Sequence, residues 1–405
     1  MSRKVLDDTP RGERLHVAIL GRRNVGKSSL INALTNQTIA IVSSVPGTTT
    51  DPVYKSMEIL PIGPVVLIDT AGIDDTGDLG RLRIGKTLDV LDKADLLVLV
   101  MEPDGGQGIY EEEMIFQAKG KGLPIVGVVN KIDLFPDFSR EGFYFPPDIP
   151  VIPVSSLMGQ GIEELKEAII KYAPKEWSSA SILGDLIQAG DTVVLVTPID
   201  QSAPKGRLIL PQVQTIRDIL NNNAYALVVQ DRDLSSIWQN LVVKPKIVIT
   251  DASAFAEVDK TLPSDVYHTA FSILFARYKG DLDALVSGAS AIEQLKPGDR
   301  VLIAEACTHH RVGDDIGTVL IPRMLRKRIG GELDFHWVSG STLPEELSGF
   351  NMIVHCGACM INRKQMLSRL ALAEAAGVPM VNYGVLVAYL QGILQRAVAP
   401  FAKGS

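Results

Sequence analysis

At 405 residues the chain is too long for one hydrophobic core, and at roughly 150 residues per domain its length predicts two or three domains, of which we expect three. A composition of 46% hydrophobic and 21% charged residues excludes a disordered or fibrous chain, and a net charge of −7 argues against a general nucleic-acid binder, which needs a surplus of Lys and Arg. The N-terminus lacks an apolar core of signal-peptide length, and no run approaches the roughly 18 apolar residues of a membrane span, so the expectation is a cytoplasmic protein without membrane contact.

From His16 to about Ala173 the apolar runs HVAIL, VVLID, LLVLV, PIVGVVN and VIPVS alternate with helix-like stretches such as SSLINALT. Such runs predict buried strands of a mostly parallel sheet with helices between them. This first domain is expected over residues 1–173. The stretch APKEWSSAS breaks the pattern between Tyr172 and Ser181, and a second rhythm of strands TVVLVTP, YALVVQ and KIVIT predicts a domain at 180–264 that carries no catalytic constellation. A third domain is expected at 265–405, with strands VLIAEA, LDFHWVS and MIVHC.

The segment Gly21-Arg-Arg-Asn-Val-Gly-Lys-Ser28 matches G-x-x-x-x-G-K-[ST], follows the strand HVAIL and opens a helix. Its glycines, Gly21 and Gly26, let the backbone close around phosphate oxygens. Asn24, Val25 and Ser29 lie in the same cradle, Lys27 reaches the terminal phosphates, and Ser28 offers a hydroxyl to Mg²⁺. After the strand VVLI, Asp69-Thr-Ala-Gly72 supplies a carboxylate that can hold Mg²⁺ through water and a glycine N–H that can sense a γ-phosphate. Asn130-Lys131-Ile-Asp133 ends the strand PIVGVV, and the Asp133 carboxylate can accept two hydrogen bonds that guanine offers and adenine does not. The motifs together predict a GTP- and GDP-binding site.

All three cysteines fall in two tight clusters, Cys307-Thr-His309 and, after 45 intervening residues, His355-Cys356-Gly-Ala-Cys359. The odd number and late position argue against a disulfide framework. Each cluster lies just beyond a predicted strand end, where open α/β sheets build sites. On chemistry alone the set suits a 4Fe-4S cluster with one iron left to His309, His355 or an external ligand, a Cys₃His zinc site, or buried free thiols. Glu305 and the pair Asp314 and Asp315 could also reach the site, but read first as solvated loop carboxylates. His16, His268, His310 and His336 read as surface or satisfied core histidines.

The order GRRNVGKS, PGTTTD, DTAG, NKID and VSSL resembles the TrmE-Era branch of translation-factor-type GTPases. The resemblance implies that Thr49, beside Thr48, completes the Mg²⁺ shell, and that Ser155 and Ser156 form the loop touching guanine. Ile73 stands where Ras-like proteins place a water-orienting glutamine, and in this branch K⁺ held by an asparagine at the position of Asn24 takes that part, which implies slow, K⁺-stimulated hydrolysis. With the C-x-H…H-C-x-x-C pattern added, the chain resembles the FeFe-hydrogenase maturation GTPases, the HydF family. The fold class expected is therefore α/β, a P-loop GTPase domain followed by two smaller α/β domains with mostly parallel sheets.

That family resemblance implies a homodimerising middle domain and a 4Fe-4S cluster on Cys307, Cys356 and Cys359. It further implies a scaffold or carrier role in which a transient di-iron subcluster passes to apo FeFe-hydrogenase, with the radical-SAM maturases HydE and HydG as partners. The reading kept beside it is an RNA-modification or ribosome-assembly GTPase with a zinc-binding module.

Overall fold

The computed structural model describes residues 11–35, 52–69, 87–104, 108–135, 145–174, 181–199, 208–252, 254–306, 315–340, 342–344 and 346–402. Of the residues singled out above, Thr48, Thr49, Gly72, Ile73, Cys307, His309, His310 and Asp314 lie outside these ranges. The chain divides into two compact units, Met1–Ser179 and Ala180–Ser405.

The first unit is built on one sheet whose strands are β1 (Leu15–Leu20), β2 (Val53–Ile59), β3 (Gly63–Asp69), β4 (Leu96–Met101), β5 (Ile125–Val129) and β6 (Val151–Pro153). Their spatial order is β2-β3-β1-β4-β5-β6. All neighbours run parallel except β2, which pairs antiparallel with β3 at the edge. Every residue of β1, β4 and β5 is buried, as expected of unbroken apolar runs covered on both faces by helices. Those faces form two separate apolar clusters, one around Leu30, Ile31, Leu165 and Ile169 and one around Val90, Leu91, Met114 and Ala118. The helices are α1 (Lys27–Thr35), α2 (Ile109–Gly120) and α3 (Ile162–Tyr172). Because β1 lies between β3 and β4, its C-terminal end marks a topological switch point, the place where α/β sheets leave a crevice for ligands.

The second unit carries two four-stranded sheets, both wholly parallel. In the first, β7 (Thr192–Val196), β8 (Tyr225–Val229), β9 (Ile247–Thr250) and β10 (Tyr267–Ala270) stand in the order β10-β9-β7-β8. In the second, β11 (Arg300–Glu305), β12 (Asp334–Ser339), β13 (Met352–His355) and β14 (Met380–Asn382) stand in the order β12-β11-β13-β14.

The helices of this unit include α4 (Phe255–Thr261), α5 (Phe271–Lys279), α6 (Leu282–Ser290), α7 (Arg363–Ala375), α8 (Tyr383–Leu390) and α9 (Leu394–Val398). Three of them start on a side-chain cap: Asp281 accepts from Ala284 N–H, Asn362 from Gln365 N–H and Asn382 from Val385 N–H. The two sheets are joined within the unit by α9, where Thr269 of β10 donates to the Ala397 carbonyl at 2.8 Å. Here too the chain reverses its direction of growth between β11 and β13, so the loops leaving those two strands border a second switch point.

Candidate functional site

The loop after β1 turns on glycines whose neighbours leave no space for a side chain. A Cβ on Gly21 would meet the Val100 carbonyl oxygen at 2.3 Å, and one on Gly26, at φ +88°, would meet Asn130 Nδ2 at 2.3 Å. Asn24 adopts the left-handed region at φ 64° and is exposed. Val25 is buried, and Ser29 is exposed one residue past Ser28. Lys27 is buried, and its ammonium donates to the carbonyls of Gly21 at 2.9 Å and Arg22 at 2.7 Å, so the charge sits inside the loop's own curve. Arg22 also reaches out of the loop, donating to Glu111 of α2 at 2.7 Å, and the same carboxylate oxygen accepts from Gly108 N–H at 2.9 Å.

Ser28 Oγ donates to Asp69 Oδ2 at 2.9 Å, which brings the P-loop hydroxyl and the β3 carboxylate together. The second oxygen, Oδ1, is buried and has no hydrogen-bond partner among the described residues. Burial pushes the Asp69 carboxyl above its ordinary value, while the Ser28 hydrogen bond and the charges of Lys27 and Lys55 pull it back. An orphaned carboxylate oxygen beside a hydroxyl suits a hard cation or its bound water, so these residues fit Mg²⁺.

On the base side, Asn130 is buried and uses both ends of its amide. Its Nδ2 donates to the Val25 carbonyl at 2.9 Å, and its Oδ1 accepts from Ser156 N–H at 3.1 Å and Ser156 Oγ at 2.8 Å. The residue is thus a strut between the phosphate loop and the 155–156 loop rather than a simple strand-end cap. Ser155 Oγ donates to Asp133 Oδ1 at 2.5 Å and accepts from Met158 N–H at 3.1 Å, which orients the carboxylate. Lys131, in the left-handed region at φ 64°, pairs with Glu102. The structure therefore brings Gly21 to Ser28, Asp69, Asn130, Asp133, Ser155 and Ser156 into connected loops at one end of the sheet.

In the second unit, Cys356 follows β13 directly and is 7% exposed, and Cys359 is half-buried. The Cys356 thiol accepts from Ala306 N–H at 3.1 Å, and the Cys356 N–H donates to Ala304 of β11 at 2.9 Å. Ala358 takes φ 55°, which tightens the loop between the two sulfurs. Lys279, at the end of α5 and only 1% exposed, donates to the carbonyls of Cys359 at 3.2 Å and Ile361 at 2.9 Å. His355 is fully buried. Its Nδ1 donates to the Cys356 carbonyl at 2.7 Å, and its Nε2 accepts from Arg369 Nη1 at 2.6 Å, so both nitrogens are committed to holding the loop.

Glu305 corrects the sequence expectation: it is not a solvated loop carboxylate but the last residue of β11, 3% exposed, accepting from the Tyr383 hydroxyl at 3.3 Å. The strand run VLIAE simply continues one residue further than its apolar part. Asp315 is half-buried and caps the turn after it, accepting from Thr318 N–H at 2.9 Å. Burial first, then the negative charge of Glu305 and Cys356, pushes the Tyr383 hydroxyl well above its ordinary value, so it stays a proton donor.

Sequence reasoning missed Arg369, although the spacing Met366, Arg369, Ala373 places it on the buried face of α7. Among the described residues no three His, Cys, Asp or Glu side chains converge as a metal site, and Cys307 and His309 lie outside them. The residues present nonetheless fit a sulfur-ligated centre: two thiols on one tight loop at a switch point, an N–H aimed at one sulfur, and a buried guanidinium, Arg369, whose Nε has no partner among the described residues.

Comparison with known proteins bears on both sites. Residues 16–131 match the family model of the 50S ribosome-binding GTPase, residues 182–280 that of the hydrogen maturase F dimerization domain, and residues 283–400 that of its tetramerization domain. The tRNA modification GTPase MnmE of Bacillus pumilus is 39% identical over 159 residues, covering 39% of this chain and 34% of that protein. MnmE of Synechococcus sp. strain JA-3-3Ab is 43% identical over 155 residues, 38% of this chain and 32% of that one. The chain thus spans about a third of the length of these curated relatives.

Among solved structures, Era in complex with MgGDPNP and a segment of 16S ribosomal RNA is 22% identical with a TM-score of 0.35, covering 54% of this chain and 94% of that one. The G domain of the T. maritima FeoB iron transporter is 29% identical with a TM-score of 0.31, covering 39% and 98%. The first unit is a GTPase domain, with guanine nucleotide and Mg²⁺ as its cofactors, and the chain is a GTPase of α/β fold. Two successive domain models specific to one maturase account for the second unit, and the chain belongs to the hydrogen maturase F (HydF) family.

Proposed function

We propose that this chain is a GTP-regulated iron–sulfur scaffold or carrier that assembles or delivers the di-iron subcluster of the hydrogenase H-cluster to apo FeFe-hydrogenase, working with HydE and HydG in the cytoplasm. The observation that carries this reading is the placement of the His355-Cys356-Gly-Ala-Cys359 loop at the switch point of a domain whose family is that of a hydrogen maturase. Cys307 follows Glu305, the last residue of β11, by two positions in sequence.

In this reading Cys307, Cys356 and Cys359 hold a 4Fe-4S cluster, which supplies an exchangeable iron corner to which the di-iron cargo attaches. His355 acts behind the loop, holding the Cys356 carbonyl, and His309 is the histidine left to approach iron. The GTPase domain turns over slowly with K⁺ at Asn24, Mg²⁺ at Ser28 and Thr49, and loops at Thr49 and Asp69 to Gly72 that sense the nucleotide. Dimers form through the 180–264 region. The tRNA-modifying relatives share only the GTPase domain, so their substrate is not carried over to the second unit.

The test is anaerobic purification of the full chain with iron and sulfide analysis and an EPR spectrum of the reduced protein. Iron and sulfide in equal amounts, lost together in Cys356→Ser, are expected. Zinc without iron would replace this reading with that of an RNA-linked GTPase.

A further inference from the structure

Arg369 stands out because a buried cation normally finds a carboxylate. At 3% exposure it has lost its hydration, yet no Asp or Glu among the described residues pairs with it. Its partners are neutral: Nη1 donates to His355 Nε2 at 2.6 Å and Nη2 to the Gly340 carbonyl at 2.7 Å. Nε, which carries a further N–H, is buried and has no acceptor among the described residues. The negative charge that a Cys356 thiolate carries acts on it favourably. A guanidinium this dry, with one donor unmet among the described residues and a cysteine sulfur acting on its charge, suits an anion that sits at the thiol.

We propose that Arg369 is the positioning residue and counter-cation of the cysteine site, bracing the Cys356 loop through His355 and offering its remaining N–H and its charge to the anionic sulfur-ligated group held there. The proposal rests on the iron–sulfur reading above. A cubane on three thiolates is an anion in both its oxidised and reduced forms, and reduction adds a further negative charge. A buried cation beside it therefore favours the reduced form and raises the reduction potential, as hydrogen bonds to the sulfurs also do. A purely structural arginine would hold the loop without setting the potential.

The experiment is an EPR-monitored redox titration of the full chain after anaerobic reconstitution with iron and sulfide, with iron release to a chelator followed in parallel. Arg369→Met is expected to move the midpoint potential to more negative values and to release iron about 10- to 100-fold faster. Arg369→Lys restores the charge without the planar fork, so its potential is expected to return toward wild type while its iron release stays fast. An Arg369→Met protein that loads normally and matches wild type in both measurements overturns the proposal.

Should Arg369→Met give no soluble chain, Arg369→Lys decides, and iron release equal to wild type overturns the proposal. Wild-type chain that binds no iron at all overturns the scaffold reading and this inference with it, whereas normal wild-type loading with an unresponsive potential overturns this inference alone.

Discussion

Asn130 donates its amide to the Val25 carbonyl at 2.9 Å and so ties the base-side loop to the phosphate loop. The same side chain accepts from Ser156, which makes it the meeting point of three loops. Asn130→Ala leaves the buried Val25 carbonyl and the Ser156 donors unmet, at a cost of about 1–3 kcal/mol in the first unit. Nucleotide titration and thermal unfolding are expected to show weaker binding of GTP and GDP alike and a lower midpoint. Unchanged affinity for both would show that the strut does not shape the site.

Asn24 holds a left-handed backbone on the exposed rim of the phosphate loop. Two substitutions separate its backbone from its amide: Asn24→Gly keeps the conformation easily, and Asn24→Ala adds strain of about 1–2 kcal/mol. If the amide holds K⁺, both variants lose the stimulation of turnover by K⁺ over Na⁺. Retention of that stimulation in Asn24→Gly would remove Asn24 from the cation site.

His268 is fully buried, stacked on Phe255 with ring centroids 3.9 Å apart and paired through Nδ1 with Asp259 at 3.1 Å. Burial lowers its pKa from 6.5 to about 4. The Asp259 carboxylate opposes that shift and Arg396 reinforces it. Between those two values the unfolded chain takes up a proton that the folded chain refuses, so stability falls as pH drops from about 6.5 toward 4. Between pH 7 and pH 5 this one ring accounts for a loss of roughly 2 kcal/mol. Urea unfolding of the wild type and His268→Gln at the two pH values checks it, and an equal pH loss in both proteins would exonerate the ring.

Gly288 lies in α6 where the helix meets β14, and a Cβ there would stand 2.0 Å from the Met380 carbonyl oxygen and 2.7 Å from its carbon. Backbone on the far side cannot rotate away. Gly288→Ala is expected to destabilise the second unit by about 1–3 kcal/mol or more, despite the better helix propensity of alanine. Gly120, at the end of α2 with nothing within 4 Å of its Cβ position, is the control, and Gly120→Ala is expected to be neutral or to gain up to about 1 kcal/mol. Equal effects at the two sites in thermal unfolding would contradict the packing argument.

Most of the strands that the sequence announces are buried on both faces, because a run such as LLVLVM has no other stable place, while β8 and β12 were also expected and are partly open. The edge strand β2, with sequence VYKSMEI and most of its residues at least partly open to solvent, carries no such signal. Nor do β10 and β14, whose sequences YHTA and MVN lack the unbroken apolar run that marks β9 and β13. The phosphate loop was legible because its chemistry demands fixed residues at fixed spacing. The surroundings of the cysteines were not, since Glu305, Lys279 and Arg369 act by being buried, and a charged residue shows burial only once its neighbours are known.

The register of β11 with β13 sets Ala304 beside His355, and the Cys356 amide extends that ladder by one more bond to Ala304. The footing of the thiol loop is accordingly fixed by main-chain pairing and not by any bound ion. Small metal-dependent folds melt when stripped, because their ligands are their core. If the loop holds metal as proposed, a chelator is expected to empty it and leave the sheet standing, so that it could be filled again without refolding.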